Sequence, residues 1–288
     1  MKNIKYFISI ITVAFLFIGV SFAQDLISVK ELAGKLKDPN VVVVSAQKAD
    51  KYAAVHIKGS INLPPSELVD NEPIKYMNKS TAEIAKILGG KGISASNEIV
   101  LYDNGSSKYS GRMYWVLKYM GAKDVKILNG EMEAWKTGRK PITKSPSKLA
   151  AVTFTADVQG QYLANMDEVM KATGGGNYII IDVRAADEYA GTDEETTLRR
   201  GHIPGSINID YKELLDAKGK LKSKEDLAAI YTAKGVTADK TVILYCATSV
   251  RAGIEFMALT SILEYPNVKI YDGGFTEWQT TASNKVIM

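Results

Sequence analysis

The chain holds one cysteine, Cys246, and its setting is what first points to chemistry. The β-branched, apolar run Thr241-Val242-Ile243-Leu244-Tyr245 feeds into it. Four residues, Ala247, Thr248, Ser249 and Val250, separate it from Arg251, and a helical pattern opens at Ala252. Alone, a single cysteine at a strand end reads as a buried apolar thiol. Between a strand end and a helix start, however, backbone N–H groups and the positive end of the helix dipole both favour a thiolate. The six residues from Cys246 to Arg251 can wrap so that successive N–H groups point at one sulfur. Arginine is the less favourable sign at a helix N-terminus, so Arg251 points to an anion nearby and adds fixed positive charge. Thr248 and Ser249 either donate hydroxyls to the sulfur or cap the helix. The chemistry such a cradle performs is nucleophilic and covalent.

The other candidates emerge from internal repetition. Val41-Val42-Val43-Val44-Ser45-Ala46-Gln47 leads through Lys51-Tyr52 to His56-Ile57-Lys58-Gly59-Ser60-Ile61-Asn62. Tyr178-Ile179-Ile180-Ile181-Asp182-Val183-Arg184 leads in the same way through Glu188-Tyr189 to His202-Ile203-Pro204-Gly205-Ser206-Ile207-Asn208. Ile99 to Asp103 matches Val242 to Cys246, and Leu128-Asn129-Gly130 through Trp135 matches Tyr271-Asp272-Gly273 through Trp278. One unit is written twice. The copies differ where chemistry would sit: Asp103 stands at the place of Cys246, and Ser45, Gln47 and Lys51 stand at those of Asp182, Arg184 and Glu188. Eight residues, Asn104 to Gly111, separate Asp103 from Arg112, which predicts a longer loop in the first copy. The first copy reads as having lost the parts for a reactive sulfur. An Asp-x-Arg at a strand end commonly forms a structural ion pair, while Arg184 is also a candidate for the substrate anion. Arg199 and Arg200, ahead of the Gly-His-Ile-Pro-Gly turn, could draw in an anionic donor. Both histidines sit at matching places in the two copies, which favours a structural role for each.

Each copy alternates strands and helices, so the fold class is α/β, a parallel sheet covered on both faces. In the first copy, Ser28 caps a helix over 29–36 and Ser80 one over 82–88 ended by Gly89-Gly90, with strands at 41–44, 99–102 and 125–128 and helices over 111–120 and through Trp135. In the second, Asn165 and Ser223 cap helices over 166–171 and 225–233, strands run at 178–181, 241–245 and 268–271, and helices cover 252–263 and 275–280. The expected organisation is residues 25–143 as domain 1, 144–152 as a linker built on Lys144-Ser145-Pro146-Ser147-Lys148-Leu149, and 153–288 as domain 2.

Hydrophobic content of 46% and charge of 24% mark a globular chain of 288 residues. Residues 1–23 read as a secretory signal: a basic Met1-Lys2-Asn3-Ile4-Lys5, an apolar run from Tyr6 to Val20, and Ser21-Phe22-Ala23 before the cut. The protein is then expected to be exported, periplasmic or secreted, with no membrane anchor after cleavage. The net charge of +4, and +2 without Lys2 and Lys5, does not favour a nucleic-acid partner. A lone cysteine excludes an intramolecular disulfide and a cysteine-based metal site.

The motifs Asp182-Val183-Arg184 through Glu188-Tyr189, Gly201 to Asn208, the loop Cys246 to Arg251, and Asp272-Gly273-Gly274 through Trp278, in this order within a duplication, resemble the rhodanese superfamily. The likeness is to the two-domain sulfurtransferases that act on thiosulfate or 3-mercaptopyruvate, and it covers nearly all of the mature chain. It implies two tandem rhodanese-like domains with a non-catalytic N-terminal copy, and an aspartate at the place of Asp103 is typical of that family. It implies double displacement: Cys246 takes a sulfane sulfur from an anionic donor as a persulfide and passes it to cyanide or a thiol, a protein thiol included. Ala247, Thr248, Ser249, Val250, Arg251, Arg184 and Arg200 would then meet the substrate, and no cofactor is implied. Mercaptopyruvate enzymes usually carry a glycine-rich loop ending in threonine, whereas this loop ends in Arg251, as in thiosulfate-type members. Glu188 stands where many members carry an arginine, and Ala247 where a basic residue or glycine is common. The residues also leave open a persulfide carrier without turnover. A cysteine phosphatase or arsenate reductase is a further alternative, although those loops place five residues between cysteine and arginine instead of four.

Overall fold

The structure, a computed structural model, describes residues 25–194 and 196–288. The signal-like stretch lies outside the described residues. Among those described, no helix is long and apolar enough to cross a membrane.

Two parallel sheets of five strands form, and their topologies are the same. The first uses β1 (Leu26–Ile27), β2 (Val41–Ser45), β3 (Ile61–Asn62), β4 (Glu98–Tyr102) and β5 (Asp124–Leu128), in the spatial order β1-β5-β4-β2-β3. The second uses β6 (Leu163–Ala164), β7 (Tyr178–Asp182), β8 (Ser206–Asn208), β9 (Thr241–Tyr245) and β10 (Val268–Tyr271), in the order β6-β10-β9-β7-β8. The continuous apolar runs 42–44 and 242–245 are buried, as central parallel strands covered on both faces require. Ser45 pairs with Tyr102, and Asp182 with Tyr245. Asp103 and Cys246 therefore leave their sheets at the same carboxyl-end position, where open parallel sheets bind ligands.

The α-helices of the first domain are α1 (Val29–Lys35), α2 (Ala49–Ala54), α3 (Thr81–Gly90), α4 (Lys108–Tyr119) and α5 (Glu131–Thr137) among the described residues. The second contributes α6 (Met166–Ala172), α7 (Ala186–Ala190), α8 (Lys224–Ala233), α9 (Ala252–Met257) and α10 (Gly274–Trp278). Ser28, Ser80, Asn165 and Ser223 each accept a first-turn N–H as caps. Gly89 and Gly90 are the last two residues of α3, which runs through them before ending. Gly89 is instead a point of close approach, where a Cβ would stand 2.5 Å from the Val152 carbonyl oxygen. Past Met257 the expected single helix widens to a π-helix over Ala258–Ile262.

The repeated histidine turns are structural. His56 stacks on Tyr52 and His202 on Tyr189, each at 3.7 Å between ring centroids. Tyr52 and Tyr189 donate to the Ser60 and Ser206 carbonyls at 2.6 Å. The β4 and β9 tyrosines, Tyr102 and Tyr245, accept from the Ile57 and Ile203 N–H at 3.1 Å. The same five-residue network thus anchors the same turn twice.

Helices α4 and α9 join the two domains. A Cβ on Gly253 would lie 2.2 Å from the Gly111 carbonyl oxygen, so the crossing brings backbone against backbone. Between the domains the chain runs without regular structure to residue 159, further than the 144–152 expected for the linker. The reason is that it is strapped to the first domain: Val152 N–H donates to Gly89 (2.9 Å), Asp157 to Met120 (3.1 Å) and Gln159 to Tyr119 (2.8 Å). Phe154 is buried in the core alongside.

Candidate active site

At the seam of the two domains lies a cavity of about 490 Å³. The second domain lines it with Ala185, Glu188, Asp210, Tyr211, Lys212, Cys246, Thr248, Val250 and Arg251. The first contributes Lys75, Tyr76, Lys108 and Tyr109. Cys246 is 1% exposed, and its Sγ accepts the Arg251 backbone N–H at 3.4 Å.

Scaffold contacts shape the loop from outside. The Cys246 carbonyl accepts from Phe275 N–H (2.8 Å), and the Ala247 carbonyl from Thr276 N–H (3.0 Å) and Oγ1 (2.8 Å). Gly274 sits directly under this contact at φ +56°, and a Cβ there would meet the Cys246 carbonyl oxygen at 2.5 Å. The second glycine of Asp272-Gly273-Gly274 is thus what lets the start of α10 reach the loop. The Ser249 carbonyl faces Arg112 at 3.4 Å, across the domain boundary. A trans peptide points its N–H opposite to its C=O. Tying the carbonyls of Cys246, Ala247 and Ser249 to the scaffold therefore turns the N–H groups of Ala247, Thr248 and Val250 away from it.

Not every residue singled out in the sequence meets the cavity. Thr248, Val250 and Arg251 line it, as does Cys246. Ala247 contributes through its carbonyl. Ser249, at φ +53°, is buried and gives its hydroxyl to the Tyr271 carbonyl instead of the sulfur. Arg184 lies outside the cavity, its guanidinium bound to Asp182 (2.6 Å) and Gly201 O (2.8 Å) and stacked 4.3 Å from the Phe275 ring centroid. Its charge is consumed where it stands, which is the structural ion pair. Arg200 is exposed and also lies outside.

Arg251 holds Glu188 in a two-pronged ion pair at 2.5 and 2.9 Å. Burial works against both charges. For Glu188 the Arg251 contact wins and holds the carboxyl below its ordinary value. For Arg251, Glu188 and the nearby Cys246 sulfur together raise the guanidinium further above its already high value. The arginine that the sequence placed against the sulfur is therefore already paired.

Sequence reasoning missed Arg112. This α4 side chain is fully buried and binds Asp272 Oδ1 (2.6 Å) and Asn78 Oδ1 (2.9 Å), while Asn78 N–H donates to Asp272 Oδ2 (2.9 Å). Its one signal in the sequence is a lone cation between Gly111 and the buried run Met113-Tyr114-Trp115.

The matching loop of the first domain is not longer. Helix α4 begins at Lys108, so four residues, Asn104 to Ser107, separate it from Asp103, against five, Ala247 to Arg251, between Cys246 and α9. The Asp103 carboxylate accepts from the N–H groups of Gly105 (2.7 Å), Ser106 (2.9 Å), Ser107 (3.2 Å) and Tyr109 (3.1 Å), and from Ser106 Oγ (3.0 Å). The nest is built, and a side-chain anion fills it. Beneath it, burial and the Asp103 charge push the Glu131 carboxyl well above its ordinary value, although Ser110 and the Asp103 N–H (2.5 Å) donate to it.

A family model described as the rhodanese-like domain matches the chain twice, over residues 28–137 and 165–281. The chain belongs to the rhodanese family. Its curated relatives include the 3-mercaptopyruvate sulfurtransferase of Escherichia coli strain K12, 30% identical over 87% of this chain and 93% of that one. A Mycolicibacterium smegmatis protein carrying the name of a candidate thiosulfate sulfurtransferase is 30% identical over 88% and 94%. The sulfur carrier protein TtuD of Thermus thermophilus is 30% identical over 90% and 95%. Among solved structures, SseA from Escherichia coli, described with the 3-mercaptopyruvate sulfotransferases, superposes with a TM-score of 0.80 at 28% identity, over 87% of this chain and 98% of that one. The wild-type EanB structure shares the fold, with a TM-score of 0.83 at 22% identity over 92% and 69%.

Proposed function

We propose that this rhodanese is a thiosulfate-type sulfurtransferase that works through a persulfide on Cys246. The observation that carries the reading is the sulfur itself, on the floor of the inter-domain cavity with the Arg251 N–H aimed at it from 3.4 Å. The neighbouring N–H groups, turned from the scaffold, supply the rest of an anion nest for the outer sulfur. In the first half-reaction the Cys246 thiolate attacks the sulfane sulfur of thiosulfate. The donor S–S bond breaks, sulfite leaves with the bonding pair, and Cys246 carries the persulfide. In the second, cyanide takes that sulfur as thiocyanate and the thiolate is restored; a thiol acceptor takes it in the same way as a persulfide. Holding each charged sulfur in preset donors is the catalytic contribution.

Donor choice is read from the loop ending in Arg251, which favours thiosulfate over 3-mercaptopyruvate. Steady-state kcat/KM with each donor and cyanide as acceptor tests this, and a clear preference for 3-mercaptopyruvate overturns the assignment. The TtuD relative favours one further reading, a sulfur carrier: such a protein loads sulfur but sustains no turnover to small acceptors. The basic start, apolar run and small residues of positions 1–23 further support export. N-terminal sequencing of the mature protein, with Gln24 first, tests that.

A further inference from the structure

Resting on that reading of the site, we infer that two lysines of the non-catalytic domain, Lys108 and Lys75, hold the anionic part of the donor that is not transferred. Two arginines lie near the reactive sulfur in sequence or space, and both are spent. Arg251 is bound two-pronged by Glu188, and Arg184 by Asp182. The cavity is nevertheless cationic, with Lys75, Lys108, Lys212 and Arg251 against Glu188 and Asp210. No ion pair engages Lys75, Lys108 or Lys212 among the described residues, so the unspent charge is theirs. Two of the three come from the first domain.

Lys108 has the stronger claim. It is the first residue of α4, the helix of the first domain that crosses α9. In its own loop the anion is already supplied, since Asp103 fills the nest with its carboxylate. Its ammonium lies 5.0 Å from the Tyr109 ring centroid, and both residues face the cavity of the other domain. Lys75 and Tyr76 line the same cavity just ahead of Asn78, whose side chain and N–H are tied to Arg112 and Asp272. A cation of the first domain thus faces the reactive sulfur of the second. As the donor S–S bond breaks, negative charge gathers on the departing sulfite, and ammonium groups opposite Cys246 stabilise it there.

The test uses the full chain, with Lys75→Gln, Lys108→Gln, the double variant, Lys108→Arg, and Lys30→Gln as a control on the exposed face of α1. Persulfide formation on Cys246 is followed with thiosulfate, a dianion, and with methanethiosulfonate, a monoanion. Binding of thiosulfate to Cys246→Ser, with and without the lysine changes, is measured by calorimetry and needs no turnover. The expected result is a fall of about tenfold in donor kcat/KM for the double variant with thiosulfate, and about threefold with the monoanion. Its salt dependence flattens, Lys108→Arg retains most of the rate, and thiosulfate binding to Cys246→Ser weakens by a similar factor. Rates and affinities matching the Lys30→Gln control overturn the inference, as does an equal fall for both donors. If wild-type Cys246 takes up no sulfur, the functional proposal fails, and the calorimetry still decides whether the lysines bind the anion.

Discussion

Replacing Arg112 by methionine removes a fully buried guanidinium while keeping most of the side-chain volume against Trp115, whose ring lies 4.6 Å away. Asp272, only 5% exposed, then keeps the Asn78 N–H as its partner and loses the cation at 2.6 Å. Removing one member of a buried charge pair costs about 3–5 kcal/mol, because the other is left uncompensated. The contact to the Ser249 carbonyl at 3.4 Å is long and adds little energy, but it ties the first domain to the cysteine loop. Against a domain stability of about 5–15 kcal/mol the loss is large. With a slope of about 2 kcal/mol per molar urea, it moves the unfolding midpoint down by roughly 2 M. Urea titration followed by tryptophan fluorescence reads this directly. Asp272→Asn should cost less, and Arg112→Met combined with Asp272→Asn should lose about 2 kcal/mol less than the two single changes together. The Cys246 alkylation rate should also change in Arg112→Met below the unfolding range, since Ser249 loses its brace. An unchanged midpoint, or strict additivity in the cycle, would refute the brace.

Other outcomes follow from the same geometry. Gly274→Ala puts a Cβ 2.5 Å from the Cys246 carbonyl oxygen at a positive φ, so sulfur-transfer kcat should fall at least tenfold while the fold persists by circular dichroism. Gly253→Ala places a Cβ 2.2 Å from the Gly111 carbonyl oxygen, and prising α4 from α9 should cost about 2–4 kcal/mol in urea unfolding. Glu188 titrates below its ordinary 4.5 in the folded chain. Its ion pair therefore stabilises fully above the unfolded value and loses that contribution as pH falls through the lower folded one. The stability gap between wild type and Glu188→Gln should be full at neutral pH and shrink as pH falls below the ordinary 4.5; a gap that does not change with pH contradicts the pairing. Asp103→Ala strips the anion from the first-domain nest and should cost about 1–3 kcal/mol. Sulfate should then raise the variant's melting temperature more than it raises that of wild type.

Much of the fold was legible because strand and helix signals agreed with each other. The runs at Val41 and Thr241, the caps at Ser28, Ser80, Asn165 and Ser223, and the repeated histidine turns all sit where the sequence placed them. The exceptions arise from tertiary contacts that no local pattern encodes. Gly89 looked like a helix stop, yet it is small to admit the strap at Val152. The Gly-Ser-Ser-Lys-Tyr-Ser-Gly composition looked like a long loop, yet Asp103 caps α4 so fully that the helix begins at Lys108. At the site, Cys246 and its four-residue spacing to Arg251 were readable, because strand, loop and helix are contiguous there. The pairing of Arg251 with Glu188 spans 63 residues, and that of Arg112 with Asp272 spans 160, so both depend on how the elements meet. Lys75 and Lys108 were invisible for the same reason: their cavity exists only once the domains close on it.

The most direct test of sulfur transfer through Cys246 is the intact mass of the purified protein after thiosulfate and before any acceptor is added. One added sulfur atom on Cys246 is predicted, removed by cyanide with release of thiocyanate and absent in Cys246→Ser. A mass unchanged by thiosulfate, or full sulfur transfer by Cys246→Ser, would contradict it.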